Sequence, residues 1–486
     1  MKKRSMVILL SLLVILLVAA AALVFFLSPD KKNEKEEKPT NPKLFSYYTE
    51  EEVFQDIPVP SGEGVTVGRV EDYGAHNYVA DVEVLGQEDY EAYLKQLEQA
   101  GFKKYVDNSA SEIVKYIDCA TYTKNNLVVT TTYTKNGNKI YISAAKDLPL
   151  SKKLFETAKD TSSYTIGAKN TLHMLEPFNT GNSFLLQLKN GHFVMSDGGT
   201  GNGADLNHLI DYMEALTPDG EKPVIEGWFV THAHGDHGGV FQEFQEDKTL
   251  AERIYVEEIY FSEVSKKVEG WTFNTGIATV ASVKLSARLL KDQEGQMTQV
   301  YRPHTGERYY FGDVTIDIVH TQEQLLYENY YQDLNDSSTW TMYNIDGQRF
   351  LNPGDSDYGS MEVVMFNYDE EYFDVDIYSV SHHGINVADT GERFTEYMNY
   401  DVALYTSWRV GSQKKDGVWG SNVAANKKLI EKAKECFSYG NGTVILEFPY
   451  VLGSGKMLGC MDWTQYTFDT PWQRLDDKSP YYVRNY

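Results

Sequence analysis

The sequence predicts an α/β protein with its site at the carboxyl ends of strands. A small α+β domain and an N-terminal transmembrane helix precede it. Three observations carry this reading. From about residue 165, segments of strand and helix character alternate to the chain end. One buried strand, "VIEGWFV", runs directly into "VTHAHGDHGG", residues 230 to 239. "MVILLSLLVILLVAAAALVFFL", Met6 to Leu27, is a run of apolar or small residues without charge.

The apolar run is long enough to cross about 30 Å of hydrocarbon at about 1.5 Å per residue. No small-x-small cleavage site follows it, so an uncleaved anchor over residues 1–27 is expected. Lys2, Lys3 and Arg4 are expected to stay cytoplasmic, which puts the rest of the chain outside the cell membrane as a single-pass protein. Residues 28–45, rich in lysine, glutamate and proline, read as a flexible tether. The three cysteines, Cys119, Cys436 and Cys460, form no CxxC pair and no even disulfide framework.

Residues 46–150 read as the small α+β domain. Tyr90, Tyr93, Leu94 and Leu97 recur at helical spacing, with Gly101 as the stop. "NLVVTTTYTKNGNKIYIS" reads as a hairpin closed at Asn136-Gly137. Residues 165–486 form the second domain. "SFLLQLKNGHFVMSDGG" reads as strand, turn, strand and glycine-rich loop, followed by a helix over about 203–215. "NKKLIEKAKECF" reads as an amphipathic helix with Cys436 at its buried edge. Tyr405, Thr406, Ser407 and Trp408 follow a buried strand, where they could line a cleft.

His232 and His234 are two residues apart in extended chain, so their rings point the same way and can share one metal ion. Asp236 and His237 follow as the chain turns and can face a second ion. Imidazole with carboxylate suits zinc, with iron or manganese as alternative ions. Gly235, Gly238 and Gly239 allow the tight turn. The bland alternative, a solvated histidine-rich loop, does not account for the spacing or the strand-end position. His173, His192 and His208 have no partners at ligand spacing and read as structural.

The run from His232 to His237 resembles the HxHxDH signature of the metallo-β-lactamase-fold superfamily. The resemblance extends over most of residues 165–450 and implies an αββα sandwich with a dinuclear metal centre. It assigns Asp197, in "VMSDGG", the support of a ligand. It gives Asp355, in "RFLNPGDSD", the place between two metals. It makes His382, in "VDIYSVSHHGIN", a ligand, with His383 beside it as a support or a catalytic group. Thioesterases of this superfamily carry an HTPGH-like run where this chain has "VHTQEQ", so Gln324 replaces the last histidine. His320 is the candidate for the missing ligand and His304 its rival.

The "SHHG" and "NPGD" contexts resemble the branch containing the competence DNA-uptake hydrolase domain and the surface phosphorylcholine esterases. They imply hydrolysis of a phosphodiester or another anionic substrate of the cell envelope or exterior. Two zinc ions would hold the attacking hydroxide, Asp236 would act at the centre, and His383 would serve the leaving oxygen. The net charge of −25 argues against nucleic acid as the partner. The alternatives are a nuclease-like hydrolase and a non-catalytic, metal-containing surface binding protein.

Overall fold

The computed structural model describes residues 52–457 and 483–485, apart from 75–76, 157–167, 178–180, 202–204, 264–270, 326–333, 385–389, 407–422 and 440–441. The expected anchor over 6–27 and tether over 28–45 lie outside the described residues, as do Cys460, Ser407 and Trp408. Among the described residues, no helix is long and apolar enough to cross a membrane. Residues 44–486 form one compact unit.

The first sheet is antiparallel. Its strands are β1 (Thr66–Gly74), β2 (Asn77–Glu83), β3 (Lys103–Asp107), β4 (Ile117–Lys124), β5 (Leu127–Thr134) and β6 (Lys139–Lys146). Their order is β1-β2-β6-β5-β4-β3. Helix α1 (Gln87–Gln99) covers one face by burying Tyr90, Tyr93 and Leu97 against Val82, Val129 and Ile142. Each such side chain contributes about 1.5–3 kcal/mol of burial. Gly101 ends the helix at φ +90°, and Phe102 N–H bonds back to Leu97 O. The β5–β6 turn is wider than the two residues expected. The last pair is Thr134 with Lys139, and the left-handed residue is Asn138 rather than Gly137. The Tyr133 hydroxyl donates to Asn138 Oδ1, which helps hold that residue.

The opposite face of this sheet packs on the rest of the unit. Thr132 Oγ1 donates to Thr305 O, and a Cβ on Gly306 would meet Cys119 Cβ at 2.7 Å. Gly306 has φ +97°, so the close approach and the backbone both require glycine there.

The second sheet holds β7 (Thr171–Met174), β8 (Ser183–Gln187), β9 (Phe193–Asp197), β10 (Val224–Val230), β11 (Tyr255–Val256), β12 (Glu258–Phe261) and β13 (Gln299–Tyr301). The third holds β14 (Arg308–Phe311), β15 (Val314–His320), β16 (Trp340–Ile345), β17 (Gln348–Asn352), β18 (Asp374–Ser379), β19 (Asn399–Tyr405) and β20 (Glu435–Ser438). The chain then returns to the second sheet with β21 (Val444–Glu447) and β22 (Lys456–Met457). Cys436 lies on β20, paired with Ala403, and not on the helix expected there.

Helices α2 (Asp205–Leu216), α3 (Val240–Glu246) and α4 (Trp271–Ala287) share an apolar core with the second sheet, including Leu209, Phe241, Trp228 and Ile259. Helices α5 (Tyr358–Asn367), α6 (Thr390–Tyr397) and α7 (Val423–Lys432) share another with the third sheet, including Val364, Phe394, Leu429 and Tyr378. A third core joins the two sheets through Phe184, Phe229, Ile316, Phe350 and Leu404. The layers therefore run helix, sheet, sheet, helix. Strands β9, β10 and β12 are parallel neighbours, as are β17, β18, β19 and β20. Their carboxyl ends supply the site.

Candidate metal centre

All seven residues of β10 are buried, and the chain leaves this strand at Thr231 and His232. His232 Nε2 lies 2.9 Å from His234 Nδ1. A short helical turn, Gly235–Gly238, then carries Asp236 and His237. The turn is tight enough that a Cβ on Gly239 would stand 2.1 Å from Gly235 O and 2.2 Å from Thr200 O. From the third sheet, Asp355 follows β17, and His382 and His383 follow β18.

Asp355 is the meeting point. Its Oδ2 lies 3.0 Å from His237 Nε2, 3.2 Å from His383 Nε2, 3.9 Å from His382 Nε2 and 4.0 Å from His232 Nε2. His383 Nε2 is also 3.4 Å from Asp236 Oδ2. Two donor groups result: Asp236, His237, Asp355 and His383, and separately His232, His234 and Asp355. Asp355 belongs to both.

The supporting residues fix the tautomers. His237 Nδ1 lies 2.8 Å from Asp197 Oδ2, an acceptor, so Nδ1 carries the proton and Nε2 keeps its lone pair. His383 Nδ1 lies 2.9 Å from the Thr406 carbonyl, with the same consequence. Asp197 also accepts from Thr231 N at 2.7 Å and from Asn182 Nδ2 at 2.9 Å. It holds φ +57° to do so. Thr231 Oγ1 donates to Asp197 and stands 3.1 Å from His232 Nδ1, orienting that ring too.

These observations test the fit of a metal. His237 Nε2 and His383 Nε2 are buried, and neither has a hydrogen-bond partner despite the nearby carboxylate oxygen. Their lone pairs converge on the space beside Asp355, and imidazole with carboxylate is a donor set for zinc or a similar ion. The electrostatics agree. Burial opposes charge on Asp355, yet His237 and His383 hold its pKa well below the usual carboxylate range. Burial likewise opposes charge on His383, but Asp355 and Asp236 push it up to about 10. Without a cation of another kind, protons take that place.

Two residues are placed differently from the sequence reading. His383, not His382, joins the four-residue group. His382 has φ 50° and His383 φ 55°, a left-handed pair that each costs strain and turns the two rings apart. Gly384 continues the bend at φ +77°, where a Cβ would meet the Tyr405 ring at 2.6 Å. The bend is held by His382 N–H donating to Gly354 O, and by Asn426 Nδ2 donating to Gly384 O. His320 is also not part of either group. One extra residue, Val319, interrupts the β15–β16 pairing, since Ile318 opposes Thr341 and His320 opposes Trp340. His320 instead lies beside Trp340, with Nδ1 2.7 Å from Gln324 Oε1. His304, the rival, bonds through Nδ1 to Glu323 at 3.0 Å. Thr231 was not anticipated, although it directly precedes the motif at a strand end. Asp357 caps α5 by accepting from Tyr358 N–H.

No family model matches the chain, and no curated protein matches it. Among solved structures, the metallo-beta-lactamase fold protein YhfI from Bacillus subtilis is similar to it at 11% identity with a TM-score of 0.31, over 55% of this chain and 95% of that one. That likeness is too distant to carry an argument about fold or function.

Proposed function

We propose that this chain is a metal-dependent hydrolase of the metallo-β-lactamase-fold superfamily, acting on a phosphodiester with two ions that share Asp355. The observation that carries the reading is the position of Asp355 Oδ2, within 4.0 Å of ring nitrogens of four histidines and common to two donor groups. A closed structural site needs one set of four donors; a carboxylate shared by two sets is the arrangement of a dinuclear centre. Zinc is the first choice by donor type, with iron or manganese next.

Bound there, two such ions supply Lewis acidity and make water acidic enough to act as a nucleophile near neutral pH. The chain's own residues do the rest. Asp197, Thr231 and Thr406 lock the rings of His237, His232 and His383, so that no reorganisation is needed as charge develops. Asp236 and Asp355 bring negative charge that holds the cations. His382 stands beside the centre with a side chain 15% exposed. It is therefore placed to hydrogen-bond a leaving oxygen, a role that passes to it from His383. The "SHHG" and "NPGD" contexts support a phosphodiester over a lactam or thioester. The apolar run at 6–27 supports a membrane-anchored enzyme facing substrates of the cell envelope or exterior.

The test is turnover of bis(p-nitrophenyl) phosphate by the purified chain, before and after chelation, beside a thioester and a lactam. Phosphodiester turnover lost on chelation and restored by zinc is expected. Turnover of the lactam or thioester alone would overturn the substrate class, and turnover of none would overturn the enzyme reading.

A further inference from the structure

We infer that the outer face of α4 rests on a lipid bilayer surface. The inference rests on the proposed reading of residues 6–27 as a membrane anchor. It comes from an apolar helix face where a polar one is expected, and from the place where the described chain begins.

Helix α4 has 17 residues, of which Lys284 alone is charged, in a chain of net charge −25. Gly276, Thr279, Val283 and Ala287 recur at helical spacing and are buried. Ile277, Ala278, Ala281 and Leu285 recur on the opposite side and are exposed, Ile277 by 48% and Leu285 by 45%. A surface helix ordinarily turns charged and polar residues outward. This one is apolar on both sides, and a continuous exposed apolar stripe marks a surface that a partner covers. Arg288 is exposed just beyond Leu285 and ends the stripe in positive charge.

The start of the described chain selects the occupant. Glu52 Oε1 pairs with Lys146 Nζ at 2.6 Å. Lys146 lines a cavity of about 220 Å³ together with Lys284 of α4, which pairs with Glu263. The chain therefore enters the fold beside the C-terminal half of α4. Residues 28–51 separate Glu52 from the apolar run. Such a length spans about 30 Å as a flexible chain and about 80 Å at full stretch. An anchored chain keeps α4 within reach of the bilayer, and tethering makes the contact intramolecular, so a small apolar stripe suffices. An anionic surface repels most of an acidic chain, but α4 offers it no carboxylate and sets Lys284 and Arg288 at the edge of the stripe.

The buried side of α4 packs on the histidine-rich loop. A Cβ on Gly238 would meet Thr279 Cγ2 at 2.7 Å, and one on Gly276 would meet Ala233 Cβ at 3.5 Å. Docking through the outer side thus sets that loop about one helix diameter, about 10 Å, from the lipid surface. Phosphodiesters of the headgroup layer then lie close to the centre.

The test places the full chain in vesicles of phosphatidylcholine and phosphatidylglycerol, part of which carries a quencher near the headgroup. Cys119 and Cys436 are buried, and Cys460→Ser removes the third thiol. A fluorescent dye is attached through Leu285→Cys or, as the control, through Phe366→Cys, an exposed position on α5 in the other helix layer. Loss of fluorescence at 285 and none at 366 is expected, with the loss at 285 abolished by adding Ala281→Glu. Circular dichroism establishes that each variant folds. Flotation with the vesicles but no quenching at 285, or equal quenching at both positions, would overturn the docking and leave the anchor standing. Shielding of the dye that follows protein density rather than lipid quencher would assign the face to a second copy and overturn the docking too. A chain that does not float with the vesicles would overturn the anchor and the docking together.

Discussion

His383 Nε2 stands 3.2 Å from Asp355 Oδ2, while its neighbour His382 stands 3.9 Å away with a more exposed ring. In the proposed mechanism these adjacent histidines have different work, and substitution separates them. His382→Ala is expected to keep its metal content and lose about 10²–10⁴-fold in turnover, the usual scale for a proton-transfer group. His383→Ala is expected to lose metal as well. Metal analysis beside turnover for the two variants checks this, and equal metal loss in both would contradict it.

Asp197 supports the centre without belonging to it. Its carboxylate takes hydrogen bonds from Thr231, Asn182 and His237 and is fully buried. Asp197→Asn keeps the volume but removes an acceptor, so a neighbour's donor is left unmatched. Metal affinity is expected to fall about 10–100-fold, read by chelator competition. Unchanged affinity would show that His237 is oriented by other means.

The turn of the motif depends on Gly239. A Cβ there meets backbone oxygens of Gly235 and Thr200, which cannot rotate away as a side chain could. Gly239→Ala is expected to lower stability by about 1–3 kcal/mol or more, from the overpacking it forces. Denaturant midpoints measure it, and a neutral effect would mean the loop has slack.

Acid should weaken the fold through buried histidines that belong to neither donor group. Burial pushes the pKa of His173 and of His320 down from 6.5 to about 4. Both are therefore neutral in the folded protein near pH 5 and largely charged when unfolded. Their contribution is fully present above pH 6.5 and is lost as pH falls toward 4, about 3 kcal/mol each at most. Urea midpoints from pH 7 to 4.5 should fall, and fall less in His173→Gln. A flat profile would contradict the burial argument.

Much of this was legible in the residues. His232, His234, Asp236 and His237 carry ligand chemistry at short range, on a strand whose apolar run marks it as buried. Asp197, before Gly198, and Asp355, after Gly354, lie at strand ends where a turn residue is common but an acid beside glycine has a purpose. The order of His382 and His383 was not legible, because a left-handed bend held by Gly354 and Asn426 decides it. Nor was the place of His320, since a single extra residue at Val319 shifts its pairing to Trp340, outside both donor groups. Cys436 was misread as helical because "NKKLIEKAKECF" keeps its apolar spacing into β20, where pairing with β19 decides the matter. Each miss is a tertiary decision overriding a local pattern.

The central claim is that Asp355 joins two metal ions in one hydrolytic centre. Metal content per chain and phosphodiester turnover, measured together on the purified wild type and on Asp355→Ala, test it most directly. Two ions and turnover in the wild type, with turnover abolished and fewer than one ion retained in the variant, is the predicted result. A variant that keeps both ions, or a wild type that binds none, would contradict the account.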